Sequence, residues 1–191
     1  MRVGAGMRLK QISSIKKHQK GSFMIELLFV VIALWGIYLF STDLSKQLLL
    51  RGKLDRSSFA LVNVLKERTR YFNANISRGL KLEVSQRDLQ NLQKVASRML
   101  NVAEDNVAIQ IESLTNKTST IKFTSGQFLV LNCSSKPLIE RKTLAPVEKS
   151  IIYPLYQVSL CIEHKSWFAP FFNGGVDTRL KIQSSSIMPG R

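Results

Sequence analysis

Residues 23–40 read FMIELLFVVIALWGIYLF, eighteen positions with a single charge, Glu26, and no proline. At 1.5 Å per residue a helix of this length covers roughly 27 Å, close to the hydrocarbon core of a bilayer. The stretch before it, Met1 to Gly21, carries Arg2, Arg8, Lys10, Lys16, Lys17 and Lys20 and no acid. Basic flanks of this kind stay on the cytoplasmic side. The pattern predicts a basic cytoplasmic leader over 1–21, a transmembrane helix over 22–40, and everything after Phe40 across the membrane. A cleaved secretory signal fits less well, because its apolar core is usually shorter than about 15 residues and ends at small residues. Here the run exits through Ser41, Thr42, Asp43 and Leu44.

Working outward, Asp43 to Phe72 continues without proline and with one glycine, Gly52. Leu50, Leu54, Leu61, Leu65 and Phe72 recur at spacings that line one helical face, while Lys46, Arg51, Lys53, Arg56, Lys66, Arg68 and Arg70 take other positions. The simplest reading is one long helix from Ser22 to Phe72. Its first half lies in lipid and its continuation, 41–72, packs on a domain formed by 73–191. Gly52 is a place where that helix can bend.

In the domain, Ser85-Gln86-Arg87-Asp88 is a capping-box-like start. Leu89, Leu92, Val95, Ala96, Met99 and Leu100 then form a helical stripe that ends near Asn101. Strands are expected at 107–111, 120–123, 127–131, 155–162 and 178–183, with turns at Ser125-Gly126 and Asn173-Gly174-Gly175. Helices first and strands afterwards predict an α+β fold: a long N-terminal helix packed on a small antiparallel sheet, with one further helix.

The chain has 191 residues with 28 Lys and Arg against 13 Asp and Glu, a net charge of +15. Without residues 1–21, 22 basic residues face 13 acidic ones, a net +9. Such a surplus suits anionic headgroups, polysaccharide or DNA, each held non-specifically. Trp167, Phe168, Phe171 and Phe172 beside Lys165 could stack on bases, but packing under a loop or against another subunit is the favoured reading, and nucleic acid is the disfavoured partner. No nucleophile elbow, phosphate loop, zinc-protease motif or dinucleotide fingerprint is present. The two histidines are His18 and His164, so neither catalysis nor a cofactor is expected.

Cys133 and Cys161 both follow the apolar run. If that side is an oxidising periplasm, a disulfide between them is the expectation. Across 155–162, Tyr156, Val158, Leu160 and Ile162 alternate with Gln157, Ser159 and Cys161, so Cys161 lies on the more polar face and a bridge would fasten a covering loop there. Two cysteines without CxxC spacing, with His164 the only imidazole nearby, make a metal site the weaker alternative.

Lys20-Gly21-Ser22-Phe23-Met24-Ile25-Glu26-Leu27 resembles the processing site of type IV pilins and pseudopilins. The resemblance implies a prepilin peptidase cut between Gly21 and Ser22, leaving 170 residues with Glu26 fifth. In such assemblies the carboxylate is thought to pair with the new terminal amine of a neighbouring subunit. Ser22 stands where the main type IV class usually has Phe, and Leu27 where major tight-adherence pilins usually have Tyr. Two further stretches, Leu54 to Thr69 (LDRSSFALVNVLKERT) and Pro154 to Cys161 (PLYQVSLC), look like the TadF family, minor pseudopilins of the tight-adherence (Tad/Flp) type IVb pilus. That resemblance implies a pilin-like fold in the bacterial inner membrane and a periplasmic C-terminal domain. It also implies a role in initiating or capping a pilus for adherence and biofilm growth, with other pilins and the inner-membrane assembly platform as partners. The competing reading is an uncleaved, signal-anchored periplasmic domain that binds a ligand, polysaccharide or DNA.

Overall fold

The computed structural model describes residues 22–72, 84–148, 151–168 and 179–190. The leader, Phe171, Phe172 and the Asn173-Gly174-Gly175 turn lie outside these residues. The chain divides after Leu39 into two compact units.

Helix α1 runs from Ser22 to Phe72 without interruption. From Phe23 to Phe40 its large apolar side chains other than Leu39 are exposed. In the second unit the same helix buries Leu54, Leu61, Val62 and Leu65, each at most 2% exposed. Leu54, Leu61 and Leu65 are members of the expected apolar face; the Phe72 side chain is outside the described set.

Helix α2 spans Gln86–Leu100. Ser85 and Asp88 close a full capping box, with Ser85 N–H donating to Asp88 Oδ2 at 2.8 Å and Asp88 N–H to Ser85 Oγ at 3.3 Å. Asn101 ends the helix in the left-handed region at φ 58°, where a short polar side chain is tolerated. Lys53 of α1 donates to the Leu100 carbonyl at 3.0 Å, satisfying one orphan acceptor of α2 and setting a cation against its negative end.

The sheet is formed by β1 (Ala108–Thr115), β2 (Ser119–Thr124), β5 (Leu155–Lys165) and β6 (Arg179–Pro189), in the order β2-β1-β5-β6. Every pairing is antiparallel. A short hairpin, β3 (Val147–Glu148) with β4 (Ile151–Ile152), stands apart from it. Ile109, Ile111, Tyr156, Val158 and Leu160 point to one face and join the buried leucines of α1 and α2 in the main core. The expected α+β architecture is the observed one.

One expected strand is a helix. Residues 126–130 form α3 (Gly126–Val130), so Ser125-Gly126 leads from β2 into a helical turn and does not join two strands. The burial pattern gives the reason: Phe128 and Leu131 are buried while Leu129 and Val130 lie 66% and 74% exposed. That is an i, i+3 pattern, which a strand cannot present to one surface. Ser125 makes the transition, its hydroxyl accepting from Ile109 N–H at 3.0 Å and donating to the Val107 carbonyl at 3.1 Å.

The other face of the sheet is covered by α3 and the chain that follows it. Phe128 and Leu131 pack with Ala108 and Cys161, and Leu138 and Ala145 with Leu114 and Leu155. Between these two apolar clusters lies a buried polar row, Gln110, Glu112, Gln157 and Ser159. Glu112, 3% exposed, accepts from Leu138 N–H through Oε1 at 3.0 Å, whereas its Oε2 and the Oε1 of Gln157, opposite it in register, have no hydrogen-bond partner. Burial raises the Glu112 pKa against the opposing pull of the Leu138 amide and of Lys122.

A raised carboxyl holds its proton more tightly in the folded state, so its contribution to stability falls as pH rises above the ordinary carboxylate range. Glu112→Gln is expected to remove that dependence and to raise stability at pH 7.5 by about 1 kcal/mol, the scale for relieving an unsatisfied buried acceptor. Chemical denaturation at pH 5 and pH 7.5 would test this, and a variant no more stable than the parent at either pH would refute it.

Candidate functional site

Two places hold the features that bear on function: the start of α1, and its exit from the apolar run.

Ser22 is the first described residue of α1, and Gly21 lies outside the described residues. Glu26 is exposed and sits four residues after Ser22, one turn on and on the same helical face. Around it, Phe23, Met24, Ile25 and most of the apolar residues on to Phe40 are exposed too, and none of the most apolar 18-residue window is buried. A helix of this length and composition is consistent with a membrane anchor or a signal.

One turn past Phe40, Asp43 is 4% exposed and ties α1 to the end of β5. Ser166 Oγ donates to Asp43 Oδ2 at 2.7 Å, Gln47 Nε2 donates to the same oxygen at 3.1 Å, and His164 Nε2 lies 3.1 Å from Oδ1. Burial alone would raise the Asp43 pKa, but the hydrogen bonds from Ser166, His164 and Gln47 outweigh it and hold the carboxyl below its usual range.

Aspartate, histidine and serine are also the members of a hydrolytic triad, and here they are wired differently. Ser166 has one hydroxyl proton and gives it to Asp43, so the imidazole is not its base. The cluster is a clasp between helix and sheet. Sequence reasoning passed over it, because Asp43 and His164 stand 121 residues apart and the only local signal was an acid directly after an apolar run.

Asp43→Ala leaves His164, Ser166 and Gln47 short of a partner and is expected to cost about 3 kcal/mol, the scale for removing one member of a buried charged network. Because the folded carboxyl titrates below its unfolded value, its stabilising contribution is complete above the ordinary carboxylate range and is lost as pH falls below about 4. Denaturation of the detergent-solubilised chain across pH 3 to 7 measures both effects, and an acid limb unchanged in the variant would contradict the assignment.

Cys133 and Cys161 are bonded to one another, so neither is a thiolate ligand. The bridge joins the segment after α3 to the covered face of β5. Of the aromatic cluster near Lys165, Phe168 packs edge-on against Phe40 with ring centroids 5.7 Å apart, and Trp167 is 70% exposed.

A long, apolar N-terminal helix laid on a four-stranded antiparallel sheet with a shorter second helix defines a pilin-like α+β protein. The chain belongs to the TadF family, described as putative tight adherence pilin protein F, whose profile matches residues 14–191. No curated protein and no solved structure matches it.

Proposed function

We propose that this protein is a minor pseudopilin, cut by a prepilin peptidase between Gly21 and Ser22, that takes part in initiating or capping a Tad/Flp type IVb pilus used in surface adherence and biofilm formation. In this reading 1–21 is the leader, 22–40 the transmembrane helix, 41–72 its continuation and 73–191 a periplasmic domain. The protein sits as a single-pass protein of a bacterial inner membrane and meets other pilins and the assembly platform there.

The observation that carries the reading is a lone carboxylate in an exposed apolar helix. The stretch 23–40 of α1 carries one charge, Glu26, four residues after Ser22, in a chain of a tight-adherence pilin family. An intramembrane carboxylate is costly, about 3 kcal/mol at the bilayer centre on insertion scales, and its presence asks for a role. A cut after Gly21 would supply one, by placing an ammonium group at Ser22 on each neighbouring chain.

The test is the intact mass of the membrane-associated protein from its native cell, with and without the prepilin peptidase. A 170-residue form beginning at Ser22, seen only when the peptidase is present, is the expected result. A full-length chain in both cells would reject processing and leave an anchored extracytoplasmic domain.

A further inference from the structure

Residues 134–138 form a strap over the polar row of the sheet, and three neighbouring strands hold it with their own side chains. Gln183 of β6 donates through Nε2 to the Ser134 carbonyl, Gln157 of β5 through Nε2 to the Lys136 carbonyl at 3.3 Å, and Gln110 of β1 to Ser135 Oγ. Also on β1, Glu112 Oε1 accepts from Leu138 N–H at 3.0 Å. The strand order β1-β5-β6 thus meets residues 138, 136 and 134 of the strap in turn.

These partners fix which atom stands where at the centre of the row. The Lys136 carbonyl can only accept, so the nitrogen of the Gln157 amide faces it and Oε1 takes the other side. The Leu138 amide can only donate, so Glu112 Oε1 is an acceptor. Glu112 and Gln157 stand opposite one another in the register of β1 and β5, which puts their side chains on one face with Cβ atoms about 5 Å apart. Both are buried, and the remaining oxygen of each, Glu112 Oε2 and Gln157 Oε1, has no hydrogen-bond partner. Two buried acceptors side by side are costly. One hydrogen on Glu112 Oε2 turns the mismatch into a match, because a protonated carboxyl is a donor. A metal ion fits less well, since the pair offers two oxygens where a calcium ion takes about six to eight.

The charged surroundings leave room for that hydrogen. On the other side of Glu112 in register is the exposed Lys122 of β2, and β6 presents Ile187 in the same row. Helix α3 carries no charge. The chain over the sheet carries Lys136, Glu140 and Lys142, all exposed, and the partly exposed Arg141. Among the described residues none of these forms an ion pair with Glu112.

We propose that Glu112 is a neutral acid in the folded domain, that its Oε2–H donates to Gln157 Oε1, and that this hydrogen latches the strap, which opens when the carboxyl gives its proton to water. Burial pushes the titration of Glu112 upward against the Leu138 amide and Lys122, in keeping with a held proton. Ionisation leaves a buried charge beside a carbonyl oxygen, and only an open strap lets water solvate it. In the open form the carboxyl titrates in its ordinary range, so the closed form is favoured at low pH and is lost as pH rises through the raised value. The Cys133–Cys161 bridge keeps one end of the strap attached, which makes the opening local. The latch is independent of processing at Gly21 and adds a pH-sensitive device to the proposed pilus subunit.

Hydrogen exchange of the full chain in nanodiscs at pH 5, 6.5 and 8, corrected for the intrinsic pH dependence of amide exchange, reads the strap directly. Corrected exchange in 134–138 is expected to rise by about threefold or more from pH 5 to pH 8, while 54–65 of α1 stays unchanged. In Glu112→Gln the amide nitrogen takes the place of the protonated oxygen, so the strap should stay closed at every pH. Lys122→Gln, at an exposed position, removes a charge that favours ionisation and should move the onset of opening to higher pH. It also decides the matter if Glu112→Gln does not fold. Infrared difference spectra of the parent against Glu112→Gln should show a protonated-carboxyl band at pH 5 that fades as the strap opens.

Strap exchange that is equal at pH 5 and pH 8, or as pH-dependent in Glu112→Gln as in the parent, would overturn the latch. An onset unmoved in Lys122→Gln would do the same. A Glu112 already ionised at pH 5 would also overturn it, with a water or an ion bridging the two oxygens, and a melting temperature raised by calcium chloride in the parent but not in Glu112→Gln would identify the ion.

Discussion

Glu26→Ala is expected to leave the chain inserted and cut after Gly21, yet to lower its incorporation into pili at least tenfold. Removing a carboxylate from an apolar helix makes insertion easier, by as much as about 3 kcal/mol if it lies deep, so a loss of piliation cannot be ascribed to failure to enter the membrane. Under the proposed function, the substitution removes attraction between the carboxylate and a neighbouring chain's terminal ammonium in a medium of low dielectric, where the interaction is far stronger than in water. A pair worth only 1.4 kcal/mol already yields the tenfold effect.

Glu26→Gln separates charge from shape, because the amide keeps the length and hydrogen-bonding capacity of the side chain. It should behave like the alanine variant if the ion pair is the active element. Immunoblots of membrane and sheared-surface fractions, together with counts of pili per cell, give the readout. Normal piliation in either variant would remove the pairing role assigned to Glu26, whatever the outcome at Gly21.

The elements with strong internal periodicity were legible. The four- and seven-residue spacing of Leu54, Leu61 and Leu65 marks the face of α1 that is buried, and Ser85 with Asp88 announces α2 through a local hydrogen-bond exchange. The alternation along 155–162 separates Tyr156, Val158 and Leu160, on the main core, from Cys161 on the far side.

Elements whose form depends on distant partners were not legible. The run QFLVL carries strand-like residues, and only the surface of Ala108 and Cys161 beneath it selects the helical form, which places Phe128 and Leu131 together. Strand β6 extends to Pro189, past the end expected at 183, through Ser184, Ser185 and Ser186. A triple serine has no strand signal of its own. Its hydroxyls are matched across space, Ser184 and Ser186 with Ser58 of α1 at 3.0 and 2.8 Å, and Ser185 with Ser159 at 2.9 Å. The clasp at Asp43 escaped notice for the same reason, since a single acid next to an apolar run looks solvated until the end of β5 is folded over it.

Replacing Cys133 and Cys161 together by alanine is expected to cost roughly 3 to 4 kcal/mol, from the entropy of a closed loop spanning 28 positions in sequence. In a domain of this size that corresponds to a fall of roughly 10 °C in melting temperature. The loss should be unevenly distributed. The bridge anchors the segment that roofs the polar row of the sheet, where Gln110 Nε2 meets Ser135, Gln157 Nε2 donates to the Lys136 carbonyl at 3.3 Å and Leu138 N–H donates to Glu112. Released from the bridge, this roof can open and let water replace its partners, because the groups beneath it are polar and gain from solvation. The opposite face has no such escape, since opening it would expose the leucine core shared by α1, α2 and the sheet. Hydrogen exchange should therefore rise in 133–145 and in the Gln110 to Glu112 part of β1, while Leu54 to Leu65 of α1 stays protected. Uniform acceleration along the chain would mean that the bridge supports the whole domain, and an unchanged melting temperature would mean that the roof is held by its hydrogen bonds and apolar contacts alone.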